Sequence, residues 1–433
     1  MPVAQSWFKV GLLVSVVVVL AAMSSASPKE VVLYDFPGDY LDGAGPIWSG
    51  SLVADAEGNL YGTTMLGGNA ACGGICGTVF ELSPAKGEWT RTVLYEFAGG
   101  VDDGAQPDSG LVFDKAGNLY GTTVQGGSLQ QCGTVYRLSR NGDGSYTESV
   151  LHAFDGSAND GCNPLAPVII DDAGNVFGTT YRGGPGGGGT VFELTNTGGT
   201  WNEKVLWAFT DDLVHEYDLN GPVAIDKAGN LYGTTAVGGQ GPSGTVFELT
   251  QTGGIWTETV IYNFQYYFDG RDGAGPIDGV TFDGAGNIYG TTTAGGTGTN
   301  CVGGSCGTVY RLQKLQNGWK ESVLYNFQGG KDGDYPTAGL TLIGKKLYGT
   351  TAFGGSGSCK LNEFTGCGTI FSLERSGGRV VEKSISLKGT NGALPQARVV
   401  PYKGALVGTT LYGGSGSCDN NLPGCGVVFA IVP

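Results

Sequence analysis

Carboxylates recur at the places where this chain could do chemistry. An Asp-Gly-x-x-Pro element stands at Asp42, Asp103, Asp160, Asp272 and Asp332. Asn391-Gly392 with Pro395 is a neutral version, and Asn220-Gly221-Pro222 is a shortened one. Carboxylates ringed about a common mouth suit a hard cation such as Ca²⁺, or a cationic group. The competing reading is that each Asp caps its own turn. His215 sits in Asp211-Asp212-Leu213-Val214-His215-Glu216-Tyr217-Asp218, a connection of 13 positions from Phe209 to Pro222, against 10 from Phe97 to Pro107. His215 and Asp218 are the candidates there for a metal or for acid/base work, with a solvated loop as the alternative. His152, the other histidine, replaces Tyr95 in a strand pattern and reads as packing. There is no HExxH, P-loop or EF-hand pattern, so no catalytic residue is assigned.

The 10 cysteines form a second set. Four pairs are local: Cys72/Cys76, Cys301/Cys306, Cys359/Cys367 and Cys418/Cys425. Cys132 and Cys162 remain, and they meet if their two connections share a face. The spacings fit no repeating zinc pattern and bring no His. An even count behind an export leader favours disulfides. Bridges across such short loops are expected to stiffen the loops of one face more than they stabilise the fold.

The elements that must position these residues come from a repeat. Gly58-Asn59-Leu60-Tyr61-Gly62-Thr63-Thr64 returns at 117–123, 174–180, 229–235 and 286–292, with worn copies at 347–351 and 406–410. The final Thr falls at 64, 123, 180, 235, 292, 351 and 410. A near-constant period means a repeat architecture. Each repeat holds four short apolar runs, here named strands a, b, c and d, and no sustained period of 3.6. Asp-x-x-Gly-Asn, as in Asp55 to Asn59, links a to b with hairpin chemistry. A Gly-rich loop links b to c, and the Asp-Gly-x-x-Pro element leads from d into the next a.

Repeated four-stranded meanders predict an all-β, seven-bladed β-propeller. The seventh repeat lacks its d strand, and a lone d-like strand, Val31-Val32-Leu33-Tyr34-Asp35-Phe36, stands at the other end. It should complete the last blade and close the ring without a free edge. Strand-d aromatics Trp89, Tyr146, Trp201, Trp256 and Trp319 suit either sugar stacking or packing between blades.

The charge is sparse and acidic, with 24 Lys+Arg against 39 Asp+Glu and a net charge of −15. That argues against nucleic acid and anionic membranes as partners. Lys9, an apolar run over 10–23 and Ser24-Ser25-Ala26 predict a signal peptide of residues 1–26. The mature chain, 27–433, is then one exported propeller domain, extracellular, at the cell surface or periplasmic. It has no transmembrane segment, and a monomer is expected.

The ordered set Leu-Tyr-Gly-Thr-Thr, Gly-Gly and Gly-Thr-Val-Phe-Glu-Leu resembles the Gloeo/Verruco (GloVer) tandem-repeat family of exported bacterial proteins. The resemblance covers the whole mature chain and implies export. It brings no established activity. The expected function is a binding module for a glycan or a protein, working through the face of b–c and d–a loops. The alternatives are a lyase or hydrolase at the channel mouth near His215, and a structural cell-surface component. No cofactor is expected beyond the possible Ca²⁺.

Overall fold

The computed structural model describes residues 28–38, 50–68, 72–85, 87–211, 217–266, 270–416, 418 and 424–432. The proposed leader, Asp42 and His215 lie outside the described residues. The chain forms seven four-stranded antiparallel blades, arranged as a β-propeller. Blade 1 runs Val53–Ala54, Leu60–Thr64, Thr78–Ala85 and Glu88–Glu96 as strands a to d. Blades 2 to 6 repeat that order. In blade 7, Val400–Tyr402, Ala405–Thr410 and Val427–Val432 are joined by Lys29–Asp35, which pairs antiparallel with Val427–Val432. The N-terminal strand therefore supplies the missing d strand and covers the last edge, as the sequence predicts.

The Gly-Thr-Thr signature follows from packing. A Cβ at Gly62 would lie 2.7 Å from Phe80 Cζ, and the equivalent rings Phe192, Phe247 and Phe371 close over Gly178, Gly233 and Gly349. The strand-c ring needs that space, so the residue is Gly for closeness rather than for turning. The first Thr bonds the next blade: Thr63 Oγ1 donates to Ser109 O at 2.9 Å, and Thr122 Oγ1 to Ala166 O at 3.1 Å. The second Thr ties strand b to strand c, as Thr64 Oγ1 and Thr78 Oγ1 do at 2.8 Å.

The core sits between blades. One cluster joins Tyr61, Val79 and Phe97 of blade 1 to Leu119, Tyr136 and Leu138 of blade 2, and its counterparts recur around the ring. Burying each such side chain stabilises by roughly 1.5–3 kcal/mol, so adjacent blades hold each other.

In blades 1 to 5 the a–b turn is fixed by its Asp. Asp55 Oδ1 accepts from the N–H of Gly58 and of Asn59, and Oδ2 accepts from Asn59 Nδ2 and the Tyr61 hydroxyl. The strand-d aromatics pack at this same end: Trp89 meets Tyr402, Trp201 meets Tyr120 and Trp319 meets Tyr232, with ring centres 6.0–6.4 Å apart. The repeated Trp is interblade packing, on the face opposite the b–c loops.

Candidate functional site

The b–c and d–a loops build one face together. Gly104–Ala105, leaving blade 1, pairs antiparallel with Gln125–Gly126 of the blade 2 b–c loop. The same pairing recurs at Gly161–Cys162 with Arg182–Gly183, and at Gly273–Ala274 with Ala294–Gly295. All five expected disulfides are present, and each lies in these loops. Cys132–Cys162 joins a b–c loop to the following d–a connection, as the shared face requires.

The bridges are not confined to the surface of these loops. In every pair one member is buried: Cys76, Cys132, Cys306, Cys367 and Cys425. These five are core residues and offer no surface to a ligand. Cys76 belongs to the cluster of Phe97 and Leu111, Cys367 to that of Leu387 and Val399, and Cys425 to that of Phe36 and Phe80. The reason is their place, just before the Gly that opens strand c, where the following d–a connection crosses over them. Gln106 N donates to Cys76 O, Asn163 N to Cys132 O and Leu394 N to Cys367 O. At the closing blade, Phe36 N donates to the carbonyl of Gly426, next to Cys425. Their partners Cys72, Cys162, Cys301, Cys359 and Cys418 are only half-buried. Each disulfide thus ties the outer part of a loop to the interblade core, and a bridged sulfur there packs as a small apolar group.

The predicted ring of aspartates is placed by its turns. Asp103 is buried; Oδ2 accepts from Ala98 N at 2.6 Å and Tyr95 Oη at 3.2 Å, and Oδ1 accepts from Gly104 N at 2.7 Å. Asp272 is bonded alike to Tyr262 Oη, Gln265 N and Gly273 N. Asp332 accepts from Tyr325 Oη and Gln328 N, each at 2.7 Å. Asp160 accepts from Asp155 N at 2.8 Å and Gly161 N at 2.7 Å, and faces His152 Nε2 at 3.0 Å. Each carboxylate is thus held by its own turn. Among the described residues, no group of three metal-capable side chains contains two of these ring aspartates. Asp218 lies beside Tyr181, and burial raises its carboxyl above the ordinary range.

The structure adds a partner that the sequence reading misses. A glutamate column runs through strand d at Glu148, Glu203, Glu258, Glu321, Glu382 and, in the closing strand, Glu30. Several of these glutamates feel the charge of the loop Asp of the preceding blade: Glu148 that of Asp103, Glu321 that of Asp272 and Glu382 that of Asp332, while Glu203 and Asp160 bring carboxylate oxygens within 4.8 Å of each other. Burial pushes the Glu148, Glu203 and Glu321 carboxyls up to about 7. The neighbouring aspartate adds to this, while His152 works against it at Glu203. In blade 7, Glu30 accepts from Asn391 Nδ2. Blade 1 carries Arg91 in this column, its guanidinium 5.8 Å from the Phe36 ring centre in the closing strand.

Each such interface therefore unites a strand-d ring, a loop Asp and the next blade's Glu. The ring is Tyr95, Tyr262 or Tyr325, but His152 at the blade 2–3 interface. A β-bulge just before Tyr95 and before His152 sets both rings toward their Asp. The signal is present in the sequence as two aligned columns. It is hard to read because the contacting members belong to different repeats.

A second polar group breaks the repeat near the axis. Arg398 Nη2 of blade 7 lies 4.0 Å from Asp278 Oδ1 of blade 5. Asp278 also accepts from Gly339 N of blade 6. Non-adjacent blades meet this way only near the axis, at the mouth where d–a loops turn into strands a. Asp108, preceding the blade 2 strand a, is half-buried, and desolvation raises its carboxyl to about 8. None of these side chains has a repeating equivalent.

The fold and loops define a seven-bladed propeller built from one repeat. The chain matches the Gloeobacter/Verrucomicrobia repeat over residues 19–225, 76–266 and 218–433, and it belongs to that family. No curated protein matches it in sequence. Among solved structures it is similar to an ancestral GH74 enzyme, at 12% identity and a TM-score of 0.55, over 90% of this chain and 48% of that one. The chain thus spans about half the length of that enzyme. It is also similar to a polysaccharide lyase, the PL25 ulvan lyase bound to -[GlcA(1-4)Rha3S]-, at 10% identity and a TM-score of 0.49, covering 92% and 95%. An α-L-arabinanase from Penicillium chrysogenum complexed with arabinobiose matches at 11% and 0.44, covering 94% and 98%. At these identities the likeness concerns the fold alone. Among the described residues no helix is long and apolar enough to cross a membrane.

Proposed function

We propose that this protein is an exported binding module whose ligand, a glycan or a protein, lands on the b–c/d–a loop face. The observation that carries this is the placement of every disulfide in that face's loops, each anchored to the core. The opposite a–b turns are short, five of them held by an Asp cap and two by two-residue Gly-containing turns, and carry no cross-link. Loops that differ from blade to blade yet are pinned present a varied surface already ordered for a partner, which lowers the entropic cost of binding. Ile75, Val101 and Leu129 add exposed apolar side chains on these loops around blades 1 and 2. The ring aspartates Asp103, Asp160, Asp272 and Asp332 serve mainly to shape the loops, and Ca²⁺ would act through that shape. The test is a glycan array and a protein pull-down with the folded protein, repeated with Leu129→Asp and Ile75→Asp. Loss of the captured ligand at an unchanged melting temperature supports the loop face. Equal capture by both variants, with loss on changing Lys115 and Lys227 of the a–b turns, would move the working surface to the other side.

A second reading rests on the channel mouth. Asp278, Arg398 and Asp108 are the unrepeated polar groups that an enzymatic site on a propeller requires. Asp278→Asn abolishing a lyase or hydrolase activity on an acidic polysaccharide panel would favour it.

A further inference from the structure

The blade 2–3 interface differs from its neighbours by one ring, and that ring changes what the interface can hold. Tyr95 offers a hydroxyl that donates to Asp103. Burial and the nearby Asp103 and Glu148 carboxylates hold that phenol well above its ordinary pKa, so it stays a hydrogen-bond donor. His152 instead presents Nε2 to Asp160 Oδ1. A neutral imidazole with its proton on Nδ1 offers Nε2 as a lone-pair donor.

We propose that His152, Asp160 and Glu203 form a binding site for a divalent first-row transition ion, Zn²⁺ foremost, bridging blades 2 and 3. Their ligand atoms all lie within 4.8 Å of one another. Zn–N and Zn–O bonds of about 2.0–2.2 Å gather three ligands from such separations with small side-chain rotations. Glu203 Oε1 is closed off from solvent and has no hydrogen-bond partner, as is the case for the equivalent oxygen of Glu148, Glu321 and Glu382; what sets this interface apart is the imidazole nitrogen beside it. A buried carboxylate oxygen without a donor is costly, and a cation at this point removes that cost. The donor set of one imidazole and two carboxylates suits Zn²⁺ and its first-row neighbours. Ca²⁺ and Mg²⁺ take oxygen ligands and have no use for the nitrogen.

The ligands are also held in advance. Asp160 is fixed by the N–H groups of Asp155 and Gly161. The His152 ring packs edge-on against Phe154, with centres 4.7 Å apart. The Cys132–Cys162 disulfide lies two residues from Asp160. His152 and Asp160 keep 23% and 11% of their side-chain surface exposed, so an ion can enter and water can complete its shell. The other grouping of this kind, Cys301, Cys306 and Asp334, has both sulfurs in a disulfide and offers no thiolate.

The test uses the purified full chain stripped with a chelator. It is titrated with Co²⁺, read by visible d–d absorption, and with Zn²⁺, read by calorimetry. The wild type should take up one saturable equivalent. His152→Tyr installs the ring that other blades carry and should lose that equivalent, with affinity down more than about a hundredfold, beyond the range seen for outer-shell partners. Glu203→Gln should weaken binding at least tenfold. Tyr95→His should build a second site with Asp103 and Glu148, raising the uptake to two equivalents. No saturable uptake by the wild type, or full uptake by His152→Tyr, would overturn the site. A folded Tyr95→His protein that gains nothing would overturn its geometric basis.

Discussion

The blade 1–2 and blade 2–3 interfaces share one plan, with a single ring exchanged. In both, a strand-d ring stands past a bulge, edge-on to a fully buried Phe: Tyr95 on Phe97 and His152 on Phe154, each with planes at 81°. In both, a buried loop Asp lies against that ring and accepts from two backbone N–H groups. In both, the next blade's Glu closes the third side. The scaffold thus holds two carboxyls beside a variable third group, and chemistry can change by one substitution without altering the fold. Repetition supplies the frame, and the departure from repetition marks the candidate site.

The largest expected effect comes from breaking the frame that both interfaces share. Deleting residues 27–36 removes the closing strand and the fully buried Phe36. The melting temperature should fall by about 10 °C or more, given the roughly 3–5 kcal/mol that a buried Phe alone contributes. An unchanged melt would mean that the ring does not depend on this closure. Next in size is the loss of the loop carboxylate. Asp103→Ala and Asp160→Ala each leave buried N–H donors without an acceptor, and each should cost about 3 kcal/mol in metal-free protein by denaturant unfolding. Costs that differ by more than about 1 kcal/mol would break the claim that the two interfaces are equivalent supports.

The smallest effect sharpens the electrostatic side. Burial, with Asp103 adding to it, lifts the Glu148 carboxyl from 4.5 to about 7. An acid whose folded pKa is raised binds protons more tightly when folded. Its contribution is therefore best below its unfolded pKa and declines as pH rises through about 7. Solvent still reaches this side chain, so the loss is discounted to roughly 1 kcal/mol. Glu148→Gln should remove that decline, leaving the variant more stable than the wild type at alkaline pH and closer to it at acidic pH. A variant whose stability follows the wild-type pH curve would show that Glu148 keeps its ordinary pKa.

The period, the four strands and the orphan strand at Val31–Phe36 carry the fold in the sequence, because each is a local pattern repeated often enough to read. The Cys132–Cys162 bridge is legible for a related reason: antiparallel alternation places b–c and d–a connections on one face. The burial of Cys76, Cys367 and Cys425 is not legible, because what covers each is a connection that arrives from beyond its own b–c loop. Glu203 is hidden for the same reason. It lies 43 residues from Asp160 in a different repeat, and aligning repeats stacks equivalent positions without showing which residues touch across a blade boundary. His152 reads as a packing residue, and its ring does pack on Phe154. Its other edge faces Asp160, and only the assembled interface shows that. The Asp272-type residues are legible in part, because the sequence already offers each as the cap of its own turn, and the turn N–H groups do hold them. What the folded loop adds is the strand-d tyrosine hydroxyl that each of Asp103, Asp272 and Asp332 also accepts from.

The most direct test of the contrast between the two interfaces is anomalous diffraction at the zinc edge from crystals of the zinc-loaded protein. A peak between His152 Nε2, Asp160 and Glu203, with none between Tyr95, Asp103 and Glu148, is the predicted result. Equal peaks at both interfaces, or none at His152, would contradict it.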